Sequence, residues 1–308
     1  MLLLLGTAVC RSSVTEQVER GNTEQKGNIF SVQTNLVVLD VSVLDEKGRP
    51  VDRLVKDDFR VFEDDVEQNV AFFSHENRPA CWGIVLDRSG SMAAMMEDVY
   101  NAALHSVEAG TAEDESFIIA FNESVEIVQD FTSDRRELRR RARDIFPGGS
   151  TALYDAVALA LDHIQHARHQ KKVLVVVTDG EDNASRFTFG RLLEMARESQ
   201  ILIYTLGLFE SMDLPILSLL RRLTKDELKR LAEESGGLSY FPKTMEECRR
   251  ACRDIAEQVR RQYSVGYYPS NTNWDGKWRE VRVELTQGER RSARTRRGYF
   301  GRGQRPVP

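Results

Sequence analysis

Cysteine is scarce, with four residues in 308, at Cys10, Cys81, Cys248 and Cys252. A disulfide-stapled scaffold is short and cysteine-dense, so that class is excluded. Long hydrophobic runs are also missing. The apolar start, residues 2–9, is well short of the roughly 20 residues that cross a bilayer as a helix, so no transmembrane span is expected. There is no excess of positive charge: 43 basic against 48 acidic side chains leave −5, which argues against a nucleic-acid binder. What remains is ordinary globular usage, 41% hydrophobic and 30% charged. The length corresponds to about two domains.

Residues 2–9, followed by small residues, suit the apolar core of a secretory signal, so the chain is read as exported, to the periplasm, cell surface or exterior. Cys10 belongs to that leader, and residues 11–30 are a polar tether without apolar periodicity. Cys81 heads an apolar strand and is expected to be buried. Cys248 and Cys252 stand four apart on one helical face, where Cβ atoms are about 5–6 Å apart, too far for a relaxed disulfide, so free thiols are expected.

From Thr34 the pattern has period two. Val37, Leu39, Val41 and Val43 alternate, residues 45–48 turn, Phe59 and Val61 open a second strand, Asp64 and Asp65 turn it, and Val70 and Phe72 carry a third. Between 80 and 262 the rhythm changes. Apolar runs at 81–86, 116–121, 173–177 and 201–206 read as strands buried on both faces of a mostly parallel sheet. Helices are expected at 92–108, 133–145, 152–167, 188–198, 225–234 and 244–262. Tyr263, Val265 and Tyr267 then alternate again, and an Asp275-Gly276 turn leads to Val281, Val283 and Leu285.

The fold class is therefore α/β: a doubly wound, mostly parallel sheet flanked by helices, inserted between β-rich flanks. Each flank is too small for its own core, and together they are predicted to form one small β-sandwich. The resulting segments are 1–30, leader and tether; 31–78, first β flank; 79–262, the α/β domain; 263–300, second β flank; and 301–308, tail.

The first buried strand runs into Asp87-Arg88-Ser89-Gly90-Ser91, a D-x-S-x-S arrangement leading straight to a helix. Ligands of α/β sheets bind at such carboxyl ends of strands. Gly148-Gly149-Ser150-Thr151 precedes the next helix but one, and Thr178-Asp179-Gly180 follows the 173–177 strand. Asp87, Ser89, Ser91, Thr151 and Asp179 can converge there as an all-oxygen set of carboxylates and hydroxyls. Hard oxygen donors match Mg2+, with Mn2+ or Ca2+ admissible, unlike the nitrogen and sulfur sets of zinc or copper. A cation held by so few anionic ligands, with one position open, prefers a carboxylate supplied from outside. The competing explanation for Ser89, Ser91 and Thr151 is helix N-capping, and for Asp179-Gly180 an ordinary turn.

These five residues resemble, position by position, the metal-ion-dependent adhesion site of the von Willebrand factor A domain, a likeness covering about 80–262. The resemblance implies Asp, Ser and Ser from a first loop, Thr from a second and Asp from a third, around a cation completed by a partner's acidic residue. The flanks resemble the von Willebrand factor A-related domain of acidobacterial proteins, through 37–45, Asp57-Asp58-Phe59, Val61-Phe62-Glu63-Asp64 and Tyr263-Ser264-Val265-Gly266-Tyr267-Tyr268. Asp65 stands where that group's turn usually has Gly.

The function expected is a metal-dependent protein-binding module, an adhesion type in which Mg2+ captures an Asp or Glu of a partner protein. The alternative is a cell-envelope scaffold whose metal only ties loops together. A metal-dependent hydrolase of the D-x-D type is disfavoured because Ser89 replaces the general acid, so the chain is not read as an enzyme. His163, His166 and His169 are read as exposed C-terminal turns of a helix, and the arginines at 135–143 and 290–297 as solvated faces. Trp274, Trp278, Tyr267 and Tyr268 are read as packing within the β-sandwich.

Overall fold

The alternation that opens the folded chain buries Leu39 and Val41 completely on one face of a strand, and that face needs a second sheet to cover it. The structure, a computed structural model, describes residues 35–302 apart from 109, 181, 210–214 and 287–289. The leader, Cys10 and the tether lie outside the described residues. The first flank holds β1 (Val37–Asp45), β2 (Phe59–Glu63), β3 (Val66–Gln68) and β4 (Val70–Ser74). Next come β5 (Ala80–Asp87), α1 (Met96–Glu108), β6 (Glu115–Phe121), β7 (Val125–Thr132), α2 (Arg135–Arg143) and α3 (Leu153–His163). The α/β part continues with β8 (Lys171–Thr178), α4 (Phe189–Ser199), β9 (Leu202–Gly207), α5 (Pro215–Ser235), β10 (Ser239–Tyr240) and α6 (Met245–Arg260). The second flank holds β11 (Tyr263–Tyr267), β12 (Asp275–Leu285), β13 (Arg291–Arg294) and β14 (Gly298–Arg302).

The central sheet has the order β10-β9-β8-β5-β6-β7. Its strands are parallel except β7, which pairs antiparallel with β6. Alternate residues of β5 feed two apolar layers: Trp82, Ile84 and Leu86 pack with α1, α2 and α6, while Cys81 and Val85 pack with α3, α4 and α5. Gly83 is required by this close packing, since a Cβ there would sit 2.4 Å from both Leu174 and Phe117. Cys81, Cys248 and Cys252 are free and buried.

The flanks hydrogen-bond to each other in two antiparallel four-stranded sheets, β13-β1-β11-β4 and β14-β12-β2-β3. One apolar cluster, with Leu39, Val41, Val61, Tyr263, Val265, Tyr267 and Val283, fills the space between them. The chain thus leaves a β-sandwich at Ser74, builds the α/β layer structure and returns at Tyr263.

Several local expectations need correction. The third strand of the first flank is two strands: β3 pairs with β2, and β4 crosses to pair with β11. Asp64 and Asp65 have φ of 48° and 63°, so the β2–β3 hairpin is a two-residue turn with two non-glycine residues in the left-handed region. Asp275-Gly276 is no turn between strands. It lies inside β12, where the register shifts between Asp275 and Trp278 and Gly276 takes φ 78°, a bulge that glycine accommodates without strain. The fifth helix begins at Pro215, ten residues before the expected start. Its apolar spacing is interrupted by Arg221-Arg222, which obscured the first turns.

His163 is not exposed. Its ring stacks on Phe131 at 4.5 Å, and its Nε2 lies 3.0 Å from Asp130. Both partners belong to β7, the edge strand that the apolar-run reading passes over, because its side chains are only half-buried. His166 is exposed, and His169 bonds the Glu113 carbonyl. Helix α2 buries Leu138 and Ala142 and turns Arg136, Arg139, Arg140, Arg141 and Arg143 to solvent. In the second arginine run, Arg297 instead pairs with Glu233 and Glu234 of α5, at 3.2 Å each.

Candidate metal centre

Strand β5 ends on Asp87, whose side chain is wholly buried. A desolvated carboxylate needs donors, and each oxygen has one: Oδ1 accepts the Ser89 amide at 2.8 Å, and Oδ2 accepts the Thr178 hydroxyl at 2.6 Å. The Tyr100 hydroxyl donates to the Asp87 carbonyl. Burial pushes the Asp87 carboxyl above the ordinary carboxylate range, and hydrogen bonds from Thr178 and Ser89 pull it partly back.

Beyond Asp87 the chain makes a single 3-10 turn, Gly90–Ala94, before α1. The hydroxyls of Ser89 and Ser91 are 3.2 Å apart, and Ser91 donates to Asp179 Oδ1 at 2.9 Å. Asp87, Ser89, Ser91 and Asp179 therefore form one continuous polar chain across two strand ends. Ser89 is buried, Ser91 exposed and Asp179 intermediate, so the chain runs from the sheet to the surface.

The second loop is tied to the first by backbone. Gly148 N–H donates to Arg88 O at 2.8 Å, and Gly90 N–H to Gly149 O at 3.3 Å. Gly149, at φ 85°, also makes room for the Glu123 carboxylate, which accepts the Ser150 amide at 3.0 Å. Thr151 is buried, and its Oγ1 lies 3.6 Å from where a Cβ on Gly180 would stand. Its amide donates to Asn183 Oδ1 at 2.9 Å, and its carbonyl accepts the Asn183 and Ala184 amides. All three loops thus close on one another at the carboxyl end of the sheet.

The capping explanation does not hold. Ser89 precedes the 3-10 turn without a side-chain cap, and α3 follows Ala152 with none. The amides at the start of α3 are taken by the third loop instead: Tyr154 N–H donates to Asp182 and Asp155 N–H to Ser185, each at 3.0 Å. The hydroxyls of Ser89 and Thr151 are left for some other task.

Sequence reasoning missed the site roles of Thr178, Tyr100, Asp182, Asn183 and Ser185, and of Asn122, whose side-chain amide donates to the Gly148 carbonyl at 2.8 Å. Thr178 could have been noticed as the one polar residue closing an otherwise apolar strand, and Asp182-Asn183 as polar residues following Asp179-Gly180. Among the described residues, no group of three or more His, Cys, Asp or Glu side chains is placed to hold a metal ion. The set here has two carboxylates, so hydroxyls would have to complete it, as suits a hard cation.

A doubly wound sheet with a polar cradle at its carboxyl edge is the arrangement in which α/β proteins that bind ligands place them. A family model described as the von Willebrand factor type A domain matches residues 83–181. Over residues 83–181 the α/β unit is thus similar to the von Willebrand factor type A domain. A von Willebrand factor type A structure from Catenulispora acidiphila superposes with a TM-score of 0.52 at 12% identity, covering 88% of this chain and 76% of that one. Proximal thread matrix protein 1 from the mussel byssus, with a zinc-occupied MIDAS motif, superposes with a TM-score of 0.51 at 16% identity, over 64% of this chain and 49% of the mussel chain. An uncharacterized protein of Borreliella burgdorferi is 29% identical over 137 residues, 42% of this chain. The chain spans only 40% of that relative's length. The acidobacterial type read from the flanks lies beyond the matched segment and rests on their sequence motifs.

Proposed function

We propose that this chain is a metal-ion-dependent protein-binding module of the adhesion type, exported and without catalytic activity. Asp87, Ser89, Ser91, Thr151 and Asp179 are the residues that would hold the cation. The observation that carries the reading is Thr151, buried and capping no helix because Asp182 and Ser185 take the first amides of α3, on a loop closed against the Asp87, Ser89, Ser91 and Asp179 polar chain. Oxygen donors of this kind favour Mg2+, with Mn2+ or Ca2+ as substitutes, and the zinc-occupied motif of the mussel protein puts Zn2+ in the same titration.

When bound, the ion supplies a Lewis-acidic point for a carboxylate from a partner protein. The chain's own part is to hold the donors still. Thr178 fixes Asp87, Ser91 bridges Ser89 to Asp179, and Asn183 clamps Thr151. Preorganisation by such neighbours normally decides the affinity of a metal site. The non-enzymatic reading rests on the residue two beyond Asp87 being Ser89, whose hydroxyl is too weak an acid to replace the missing general acid.

Calorimetric titration of the mature chain with Mg2+, Mn2+, Ca2+ and Zn2+ tests the site. Saturable binding abolished by Asp87→Ala and by Asp179→Ala supports it. A scaffold role would give metal binding with no carboxylate competition, so acetate or a Glu-containing peptide that competes with the ion's last water separates adhesion from loop-tying. Absence of any cation binding to the native chain would sink the reading.

A further inference from the structure

A second site lies at the other end of the central sheet, where β8 and β9 begin rather than end. Lys171 and Leu202, the first residues of those strands, line a cleft of about 870 Å³ whose other wall is β1 and the Thr295-Arg296 segment between β13 and β14. The volume falls within the range of about 300–1,000 Å³ usual for ligand pockets.

The charge in this cleft is unusual for a chain of net −5. Arg78 and Arg168 are neutralised, by Asp40 and Glu115, each at 3.4 Å. Lys171, Lys172 and Arg296 form no ion pair with a described carboxylate, although Asp40, itself paired with Arg78, also acts on Lys171 and Arg296, and Glu198 lines the same cleft. Lys171 is 5% exposed and donates to the Val259 carbonyl, and Lys172 donates to the Gln165 carbonyl at 2.9 Å. Arg296 gives its fork to the Gln200 side-chain amide oxygen and to the Val38 carbonyl. All three cations therefore rest on neutral oxygens at the rim of one recess, Lys171 from the α6 face of the sheet and Lys172 from the α3 face. Arg296 Nε and Thr295 Oγ1, on the same wall, are buried and have no hydrogen-bond partner among the described residues. Buried donors are normally satisfied, so these two are groups that a bound ligand would serve.

From this geometry we infer that the cleft binds a compact organic polyanion bearing carboxylate or phosphate groups, with Arg296, Lys172 and Lys171 supplying the countercharge. Once an oxyanion displaces the Gln200 or Val38 oxygen, the guanidinium of Arg296 can hold either kind bidentately. Val38 of β1 and Leu36 just before it, 36% and 38% exposed, give a carbon skeleton something to rest on, which a bare inorganic ion would not use. The site is independent of the Asp87 cradle.

Titration calorimetry of the full chain with citrate and with pyrophosphate, in the presence of chelator, tests the inference. Saturable binding of at least one probe is expected, and the one that binds tells carboxylate from phosphate. Arg296→Gln and Lys172→Gln should each weaken it by about tenfold, the worth of one charge-assisted hydrogen bond. Asp87→Ala should leave it unchanged. The same loss of charge on exposed α2, Arg136→Gln, should also have no effect, and Lys172 is exposed enough that its substitution leaves folding intact. No saturable binding of either probe, binding indifferent to both cleft substitutions, or equal weakening by Arg136→Gln would overturn the site.

Discussion

The Tyr267 hydroxyl donates to Glu63 Oε2 at 2.7 Å, joining strands 204 residues apart in sequence and in opposite sheets of the β-sandwich. Tyr299 donates to the same oxygen at 2.7 Å, and Arg279 pairs with Oε1 at 3.1 Å, both ions being almost fully buried. Arg279 also lies 4.8 Å from the Trp274 ring centroid. The network closes the sandwich only when both flanks are present.

Glu63→Gln keeps the shape and leaves Arg279 buried without a counter-charge. Removing one partner of such a pair costs about 3–5 kcal/mol, and that loss is expected in urea unfolding of the chain. Glu63→Gln with Arg279→Met should recover most of it. A loss under about 1 kcal/mol for the single variant would show that the pair is solvated.

Removing residues 263–302 deletes β11 to β14, strips β1 and β4 of every partner and leaves β2 with β3 alone. Amide exchange in residues 37–74 of the shortened chain should become fast while β5 and β8 stay protected. Protection retained at Leu39 and Val41 would mean that the first flank is stable alone.

Asp64 and Asp65 show how a single residue departs from the turn geometry around it. Left-handed backbone costs a non-glycine residue about 1 kcal/mol, and Asp65 sits at φ 63°. Asp65→Gly is expected to raise stability by about that amount in thermal unfolding, less the small contribution of the exposed contact to Arg282 at 3.3 Å.

Lys171 makes stability depend on alkaline pH. Burial pulls its ammonium from 10.5 down to about 8. Below about 8 both states carry the proton, and the folded state bears the desolvation cost. Between about 8 and 10.5 the folded protein has released a proton that the unfolded chain still holds, so stability rises with pH through this window. The gain approaches about 3 kcal/mol in all. Unfolding curves at stepped pH should lose this rise in Lys171→Met.

Much of this architecture is legible from spacing. Continuous apolar runs mark β5, β6, β8 and β9, because a strand covered on both faces has no polar side. Strand β7 escapes that criterion, although Val125, Ile127 and Phe131 alternate, since an edge strand shows the weaker half-buried pattern. Asp87, Ser89, Ser91, Thr151 and Asp179 stand out because short loops at strand ends hold them. Thr178, Asp182 and Ser185 do not, because their work depends on which loop lies opposite, and that is set by strand register. Glu63 shares the inward face of β2 with Phe59 and Val61, and what lets a carboxylate stand there is visible only when Tyr267, Tyr299 and Arg279 arrive from the far end of the chain.

Asp87 ties the proposed metal site to acid pH. Its carboxyl lies above its ordinary 3.8 because of burial, so the cation-free protein is penalised whenever Asp87 is ionised. As pH falls through the raised value, the folded state takes up the proton first, and the chelated protein should gain stability from this group. A bound cation reverses the sign, since it needs the carboxylate and competes with the proton. The thermal shift produced by Mg2+ is therefore expected to be full at neutral pH, about 3 kcal/mol at a hundredfold excess over the dissociation constant, and to shrink on acidification. Asp87→Asn should abolish the Mg2+ effect and stabilise the chelated protein at neutral pH, two changes of opposite sense from one substitution. A carboxylate serving only as a strand-end hydrogen-bond acceptor would give the second change without any Mg2+ effect in the native chain to lose.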